Sequence, residues 1–436
     1  MATAVSRRQF LAVMAGAASA LLAGCAQTGT PAPAPAAPTR RAGPVRVGVI
    51  YPLTGPIAST GVNCKYGVDL AAEVVNGRYD LDLILAREEG LPNLGGAKVE
   101  LVPADSQGTP EKGQAEAERL ITQEQVAAII GAYQSAVTAT ASQAAERLGI
   151  PFVNADSSAI SLTERGFKWF FRTGPHDGTF VDNLFAMLKD LERTKGIRVK
   201  NIGIVHDNTL AGVDFAKNTR DFAAKYGYEV AVQIAHPTNT TDVTSEVQKL
   251  KATNPDVLFQ LSYTSDAILF MRTYKQLDYN PPMILAYGSG FVDPQFTKTL
   301  GKDANFVISK AAWAPDIGQR KPAAAAVAEM FRQKFGQPMT EDSARSFTAL
   351  LVLAEAINRA GSTDPEAIRR ALLETDIPGD RLIVPWKGVK FDEKTHQNIY
   401  ARSVNIQIID GEYYTVWPFD LATREVIWPM PKWGQR

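Results

Sequence analysis

Short apolar segments alternate with amphipathic helical segments along this chain, and that alternation limits the fold more than any other feature. Residues 45–50 form an apolar run closed by Pro52 and Gly55, as expected for a strand buried on both faces of a sheet. Three more strands and three helices are predicted in the same stretch, at residues 98–102, 126–130 and 151–153 and at 61–76, 111–125 and 136–148. This order predicts a doubly wound α/β domain.

The alternation then restarts, which predicts a second domain of the same kind. Its predicted strands and helices are residues 201–205, 228–234, 256–261 and 283–286, and 213–226, 244–252 and 266–277. Two helices near residues 323–335 and 343–360 follow, and then β-like segments at 382–391, 401–409 and 413–416. A chain of 436 residues exceeds what one hydrophobic core usually holds.

We therefore predict an α/β protein of two doubly wound lobes joined by a multi-strand hinge. Lobe 1 is predicted at residues 44–172 plus 315–378, and lobe 2 at 173–314 plus 379–436. The candidate crossovers between them lie at 171–175 and 312–315. The last twenty residues carry three tryptophans, and this apolar tail is expected to pack along a lobe surface.

The first 43 residues predict export and anchoring rather than structure. Residues 1–24 hold a paired arginine, a short apolar run and the tetrad Leu22-Ala23-Gly24-Cys25, typical of a twin-arginine signal with a lipobox. Cys25 would then carry lipid and residues 25–43, rich in Pro and Ala, would form an extended tether. A plain secretory signal with an incidental cysteine is the alternative. The predicted location is extracytoplasmic, with membrane contact only through the lipid.

Charge and cysteine content narrow the function further. The chain has 46 basic and 46 acidic residues, and loss of Arg7 and Arg8 with the signal leaves a slight acidic excess. A near-neutral body argues against nucleic acid as a partner. Cys64 has no partner if Cys25 is lipidated, so we predict no disulfide and a buried Cys64 on the first helix.

The motifs of common enzymes and metal sites are absent from the sequence. It contains no Gly-x-Ser-x-Gly elbow, phosphate loop, His-Glu-x-x-His or Cys-x-x-Cys, and its four histidines are isolated. We predict no metal, no cofactor and no enzymatic activity. Residues distant in sequence can still meet in space, so an enzyme stays open at this point.

Polar residues cluster where predicted strands end, and this is where ligands bind in doubly wound sheets. One cluster is residues 131–138, with Gln134, Ser135 and Thr138, and another is residues 154–158, with Asp156, Ser157 and Ser158. Helix N-termini there present free N–H groups, which suit a carboxylate. Each residue alone is equally typical of a helix cap, but several clusters at one sheet edge favour a binding site.

The chain from residue 45 to the C-terminus resembles the type I periplasmic solute-binding proteins of ABC importers, and within them the branched-chain amino acid and amide group. The resemblance is carried by Pro-Leu-Thr-Gly at 52–55, Ile-Ile-Gly at 129–131 leading to Ser135, Gly-Ile-Pro-Phe-Val at 149–153, Leu-Thr-Glu-Arg-Gly at 162–166 with Phe-Arg-Thr at 171–173, and Ala-Ile-Asn-Arg-Ala-Gly at 356–361.

The resemblance implies a role for each matching residue. Ser135 with its neighbouring N–H groups, together with Ser158, would hold the ligand carboxylate or its equivalent. The backbone carbonyl of Asp156 would accept from an ammonium or amide. Tyr263 would close over the ligand from the second lobe, although a core tyrosine at a strand end is the structural alternative.

The sequence departs from the family pattern at two positions. Amino-acid binders carry an acid in the loop after the last strand of the second lobe, and here the matching position is Ser289. An expected aromatic after residues 206–208 is also missing. Asp207, Asp266 or Asp293 could replace the acid; otherwise the ligand lacks an ammonium and is an amide, a urea-like solute or a small organic acid.

The resemblance implies a monomer that closes its hinge on a small polar solute and then meets a permease–ATPase complex. A ligand sensor of the same fold and, less favoured, an anchored α/β enzyme are the competing interpretations.

Overall fold

The structure is a computed structural model that describes residues 43–436. The predicted signal, Cys25 and nearly all of the tether therefore lie outside the described residues. A five-stranded parallel sheet in the order β2-β1-β3-β4-β5 opens the described chain. Its strands are β1 (Val45–Tyr51), β2 (Val99–Asp105), β3 (Ala128–Gly131), β4 (Phe152–Asn154) and β5 (Phe170–Arg172). Its helices are α1 (Ala58–Asn76), α2 (Pro110–Thr122) and α3 (Ser135–Leu148).

The chain then crosses to a second sheet. The strands are β6 (Asn201–Asp207), β7 (Glu229–His236), β8 (Val257–Leu261), β9 (Ile284–Ala286) and β10 (Ile308–Ala311). The helices are α4 (Asp177–Lys195), α5 (Leu210–Tyr226), α6 (Thr244–Thr253), α7 (Thr264–Gln276) and α8 (Pro294–Leu300). The sequence-based set omits α4, although its buried Phe180, Leu184, Leu188 and Leu191 recur at helical spacing.

The last part of the chain returns to both sheets. Its helices are α9 (Pro322–Phe335), α10 (Glu341–Ala360) and α11 (Pro365–Leu373), and its strands are β11 (Asp376–Pro378), β12 (Gly388–Lys390), β13 (Val404–Ile409) and β14 (Glu412–Trp417). β13 joins β10 antiparallel, which gives a seven-stranded second sheet in the order β14-β13-β10-β9-β8-β6-β7. The α/β class and the doubly wound sheets are confirmed.

We call each sheet with its packed helices a lobe. α10 packs along α1, and Tyr66 of α1 stacks on Phe335 of α9 and meets Phe331 edge to face, so both late helices belong to the first lobe. The predicted strand at 382–391 is wrong over most of its length, because only β12 pairs and residues 382–384 bury their side chains in the core. Two hydrogen bonds also join Arg172 of β5 to residues 396 and 398.

These contacts place residues 379–400 against the first lobe rather than the second, where the sequence had put them. We therefore propose that the second lobe resumes near Val404 and that the chain passes between the lobes three times. The apolar tail packs on the second lobe as expected. Trp433 is buried there and its Nε1 donates to the Tyr279 carbonyl at 3.0 Å, while the Met430 backbone pairs with Pro282. Cys64 is buried on α1 and forms no disulfide within residues 43–436.

Candidate functional site

A small cavity of about 30 Å³ lies between the two lobes, at the carboxyl ends of their strands. The first lobe contributes Tyr133, Ser135, Asp156, Ser158, Asp342 and Arg345, and the second contributes Ala211, Leu261, Tyr263, Tyr287, Ser289 and Lys310. Both sheets therefore direct their strand ends at one enclosed space, as expected for a ligand site in open α/β sheets. Entry of a solute requires the lobes to part or the lining side chains to move.

One part of the wall is neutral and is built around the N-terminus of α3. Gln134 occupies the N-cap but makes no side-chain cap, and Ser135 begins the helix, so the first N–H groups of α3 have no intrahelical acceptor. Ser135 Oγ lies buried beside them and accepts from the Ala159 N–H at 3.3 Å. N–H groups and a helix dipole in this arrangement suit a carboxylate.

Thr138 and Ser157 hold the loop that carries this neutral part of the wall. Thr138 Oγ1 accepts from the Ala132 N–H at 3.0 Å and lies 2.6 Å from Ser157 Oγ, which donates to the Tyr133 carbonyl at 2.7 Å. Tyr133 itself has a φ of 78°, a left-handed conformation that costs a bulky residue energy. The two hydroxyls therefore position Tyr133 and Ser135 rather than contact the cavity.

The other part of the wall is a cluster of five buried ionisable side chains, each no more than 5% exposed. Lys310 Nζ pairs with Glu341 Oε1 at 3.0 Å. Arg345 pairs with Asp342 through Nη2 and lies with Nε 3.5 Å from Asp156 Oδ1. Three of the five, Glu341, Asp342 and Arg345, lie at the start of α10, which Thr340 caps. Because residues three or four positions apart share a helix face, Glu341 and Asp342 lie beside Arg345.

Burial changes the pKa values of this charged cluster in different directions. It raises the pKa of Asp342 to about 7, against the pull of Arg345, and it also raises the pKa of Asp156. Burial alone would raise the pKa of Glu341, but Arg345 and Lys310 hold it below its ordinary value. Burial lowers the pKa of Lys310. Glu341 is therefore ionised at neutral pH, whereas Asp342 gains or loses its proton near pH 7.

Three tyrosines complete the wall. Tyr133 and Tyr263 approach from opposite lobes, with ring centroids 6.2 Å apart at 59°. Tyr287 Oη donates to Asp177 Oδ1 at 2.6 Å, and burial raises the pKa of that carboxyl to about 6. Tyr263 thus stands at the cavity on the second-lobe side, as the sequence predicted.

The structure brings five of the eight predicted ligand-binding residues to the cavity wall: Ser135, Asp156, Ser158, Tyr263 and Ser289. Gln134, Ser157 and Thr138 do not line it. The backbone carbonyl of Asp156, expected to accept from the ligand, already accepts from Arg345 Nη1 at 3.0 Å. Ser289 Oγ is buried near Tyr133 and makes no hydrogen bond of ordinary geometry with the described residues.

None of the three acids suggested as replacements for the missing one lines the cavity. Asp207 accepts from Thr209, and Asp266 accepts from the N–H groups of Asn239 and Thr240. Asp293 caps α8, where it accepts from the Gln295 N–H at 2.8 Å. The carboxylates at the cavity are instead Asp156 and Asp342.

Sequence reasoning missed Lys310, Glu341, Asp342, Arg345, Tyr133 and Tyr287. The only sequence signal for Glu341, Asp342 and Arg345 is Glu-Asp-x-x-Arg at 341–345, which is equally typical of a solvated first helical turn, and Lys310 has no such signal. Their burial depends on β4, β10 and α10 meeting, and no local pattern reports that contact.

Two acids of the second lobe also hold the lobes together outside the cavity. Asp293 accepts from Ser59 Oγ at 2.8 Å and from Thr60 Oγ1 at 2.6 Å, both on α1. Asp214 of α5 accepts from Ser161 Oγ at 3.0 Å. The described form is therefore closed, with hydroxyl–carboxylate contacts between the lobes outside the cavity.

Comparison with known proteins agrees with this geometry. A family model described as periplasmic binding protein matches residues 44–408, so the chain belongs to that family. Leu/Ile/Val-binding protein homolog 7 of Brucella suis is 28% identical over 395 residues, which cover 88% of this chain and 94% of the relative.

Two solved structures share the fold. The leucine-binding protein LivK of Thermotoga maritima superposes with a TM-score of 0.72 at 23% identity, covering 85% of this chain and 97% of that one. A solute-binding protein of an ABC transporter from Rhodopseudomonas palustris, in complex with 3,4-dihydroxybenzoic acid, superposes with a TM-score of 0.71 at 18% identity. The match covers 90% of this chain and 99% of that one. Separately, no helix in residues 43–436 has the length and apolarity needed to cross a bilayer.

Proposed function

We propose that this chain is the extracytoplasmic substrate-binding component of an ABC importer and that it captures one small carboxylate-bearing solute between its lobes. The observation that carries the proposal is the enclosed cavity at the carboxyl ends of both sheets, with polar groups from each lobe. The similar proteins add support, since they include proteins named for binding leucine-type amino acids and one solved in complex with an aromatic acid.

Hinge closure is the proposed mechanism. The solute carboxylate docks at the N-terminus of α3 beside Ser135 and Ser158, and Tyr263 then approaches from the second lobe. Because the closed form contacts the solute from both sides, binding favours closure. The closed form is then presented to the permease and ATPase, by a monomer tethered through lipid on Cys25.

A thermal-shift screen of the exported, detergent-purified protein tests capture. The panel holds leucine, valine, polar amino acids, short amides, urea and aliphatic and aromatic acids. A binder at a hundredfold excess over its Kd stabilises the folded state by about 2.7 kcal/mol, which appears as a clear rise in Tm. Absence of any shift on folded protein counts against solute capture.

A matched pair of serine variants locates the site. Ser135→Ala removes a cavity hydroxyl and should weaken the binder found in the screen by roughly tenfold. Ser142→Ala is the control, because that buried serine lies on the same helix and bonds to its backbone instead of lining the cavity. Equal affinities for the two variants would place the ligand elsewhere.

The anchor has its own test. Mass spectrometry of the mature N-terminus should find a lipid-modified Cys25, and Cys25→Ser should release the protein from the membrane fraction. An unmodified mature N-terminus would support the plain secretory signal instead.

A further inference from the structure

The charged cluster at the cavity contains more carboxylates than cations. In the described part of the chain, the carboxylates of Asp156, Glu341 and Asp342 face only two cations, Lys310 and Arg345. All five side chains are at most 4% exposed, so the surplus negative charge is shielded from bulk water. An uncompensated buried charge is costly, and proteins avoid it by protonation or by binding a partner of opposite charge.

Two buried atoms without hydrogen-bond partners in the described structure show where the surplus negative charge lies. Asp156 Oδ2 accepts from Tyr51 and Ser346, but Asp156 Oδ1 has no hydrogen-bond partner among residues 43–436, although it is fully buried. Arg345 Nε, 3.5 Å away, also makes no hydrogen bond. Both residues line the cavity, so a buried acceptor beside it lacks a donor among the described residues.

Among residues 43–436, no other cation interacts with Asp342. Asp342 interacts with the two cations of the cluster and otherwise with acidic or neutral groups: Glu341, Asp156, Cys64, Tyr133 and Tyr413. Arg172, another buried arginine of the first lobe, binds Gln397 and the carbonyls of Ser157 and Ala159 and interacts electrostatically with Asp177.

We propose that Asp342, with Asp156 beside it, is the specificity-determining acid of the site and selects solutes that carry a cationic nitrogen as well as a carboxylate. This inference rests on the proposed function. It replaces the acid missing at Ser289 by one delivered from the other lobe, at the start of α10. The solute carboxylate then lies at α3, and its nitrogen donates to Asp156 Oδ1 and Asp342.

The proposal predicts that binding moves a proton. Burial holds the pKa of Asp342 near 7, so at neutral pH part of the free protein is protonated there. An incoming cation favours the ionised carboxylate and expels that proton. A solute with a carboxylate alone adds negative charge and draws a proton in. The sign of proton exchange therefore reports the class of solute.

Isothermal titration calorimetry of the full mature protein at pH 7, in phosphate and in Tris, measures that sign. The probes are matched pairs that differ only in the amino group: leucine with 4-methylpentanoate, and phenylalanine with 3-phenylpropanoate, plus benzoate. We expect an amino acid to bind at least tenfold more tightly than its partner and to release protons.

Asp342→Asn tests the residue. It should weaken the amino acid at least tenfold, abolish proton release and leave the plain carboxylate unchanged or tighter. Asp266→Asn is the matched control, because Asp266 is another buried acid with a raised pKa but lies outside the cavity. Circular dichroism and Tm establish that both variants are folded.

The outcomes separate the two claims. If no probe and no member of the screening panel binds, the proposed function itself fails. If a plain carboxylate binds more tightly than its amino acid, or Asp342→Asn weakens both members of a pair equally, solute capture stands and the specificity role of Asp342 is overturned.

Discussion

The neutral part of the cavity wall and its charged part hold their polar groups in different ways. Ser135 and Thr138 lie in the first turn of α3 and Ser157 in the loop after β4, and each hydroxyl bonds to a backbone group or to another hydroxyl of these two segments. Asp156 and Arg345 stand 189 positions apart in sequence and depend on each other for charge compensation. Local loops thus place the first part, whereas only the complete fold places the second.

The difference also has an energetic side. A neutral hydroxyl can be removed at the cost of about one hydrogen bond, roughly 1 kcal/mol. Removal of one member of a buried ion cluster leaves its partners uncompensated, which costs about 3–5 kcal/mol. Substitutions on the two parts of the wall should therefore differ in size and in pH dependence.

Arg345→Met should have the largest effect. It leaves Asp156, Asp342 and Glu341 with Lys310 alone, so the free energy of unfolding should fall by about 3–5 kcal/mol at pH 7. Urea denaturation measures it. Arg359→Met is the control on the same helix, because Arg359 pairs with the partly exposed Glu355. This substitution should lower the free energy of unfolding by at most about 1 kcal/mol. Similar losses for both would show that the cluster is energetically unimportant.

The pH dependence of stability should identify Asp342 directly. Its pKa is about 7 in the fold and about 3.9 when unfolded, so between these values the folded state binds the proton more strongly. This contribution to stability is complete below about pH 4 and is lost as the pH rises through 7. Asp342→Asn should remove this fall in the free energy of unfolding with rising pH. Parallel wild-type and variant curves between pH 4 and 8 would contradict the assignment.

The contacts between lobes should affect affinity more than stability. Ser59→Ala with Thr60→Val removes two hydroxyls that α1 donates to Asp293, so the closed form should lose roughly 1–3 kcal/mol and solute affinity should fall about tenfold. Thr264→Val is the control, because its bond to Asp293 lies within the second lobe. Small-angle scattering with saturating solute then checks closure. Equal affinity losses would refute an interlobe role.

Ser289→Ala should have the smallest effect. Its buried hydroxyl makes no hydrogen bond of ordinary geometry in the described structure, so stability should change by less than about 0.5 kcal/mol. Solute affinity should change less than about threefold by calorimetry. A tenfold loss would mean that Ser289 itself contacts the solute and that the second lobe contributes more to recognition than its tyrosines.

The sequence predicts this molecule well where the determinants are local. Apolar runs such as 45–50 and 256–261 indicate buried parallel strands, and polar residues after them indicate one sheet edge, which is where Ser135, Asp156 and Ser158 lie. Prediction from the sequence fails where segments that are distant in the chain come into contact. Residues 379–400 return to the first lobe through contacts with β5, and the first turn of α10 becomes part of the cavity only because β10 supplies Lys310.

The long separation between Asp156 and Arg345 also matters during translation. At about 5–20 residues per second, the ribosome adds Arg345 roughly ten to forty seconds after Asp156. Any early assembly of the first sheet therefore takes place without the cation that accompanies Asp156 in the finished fold. Its carboxylate has to stay hydrated or protonated until α10 emerges, so this corner of the nascent first lobe closes among the last.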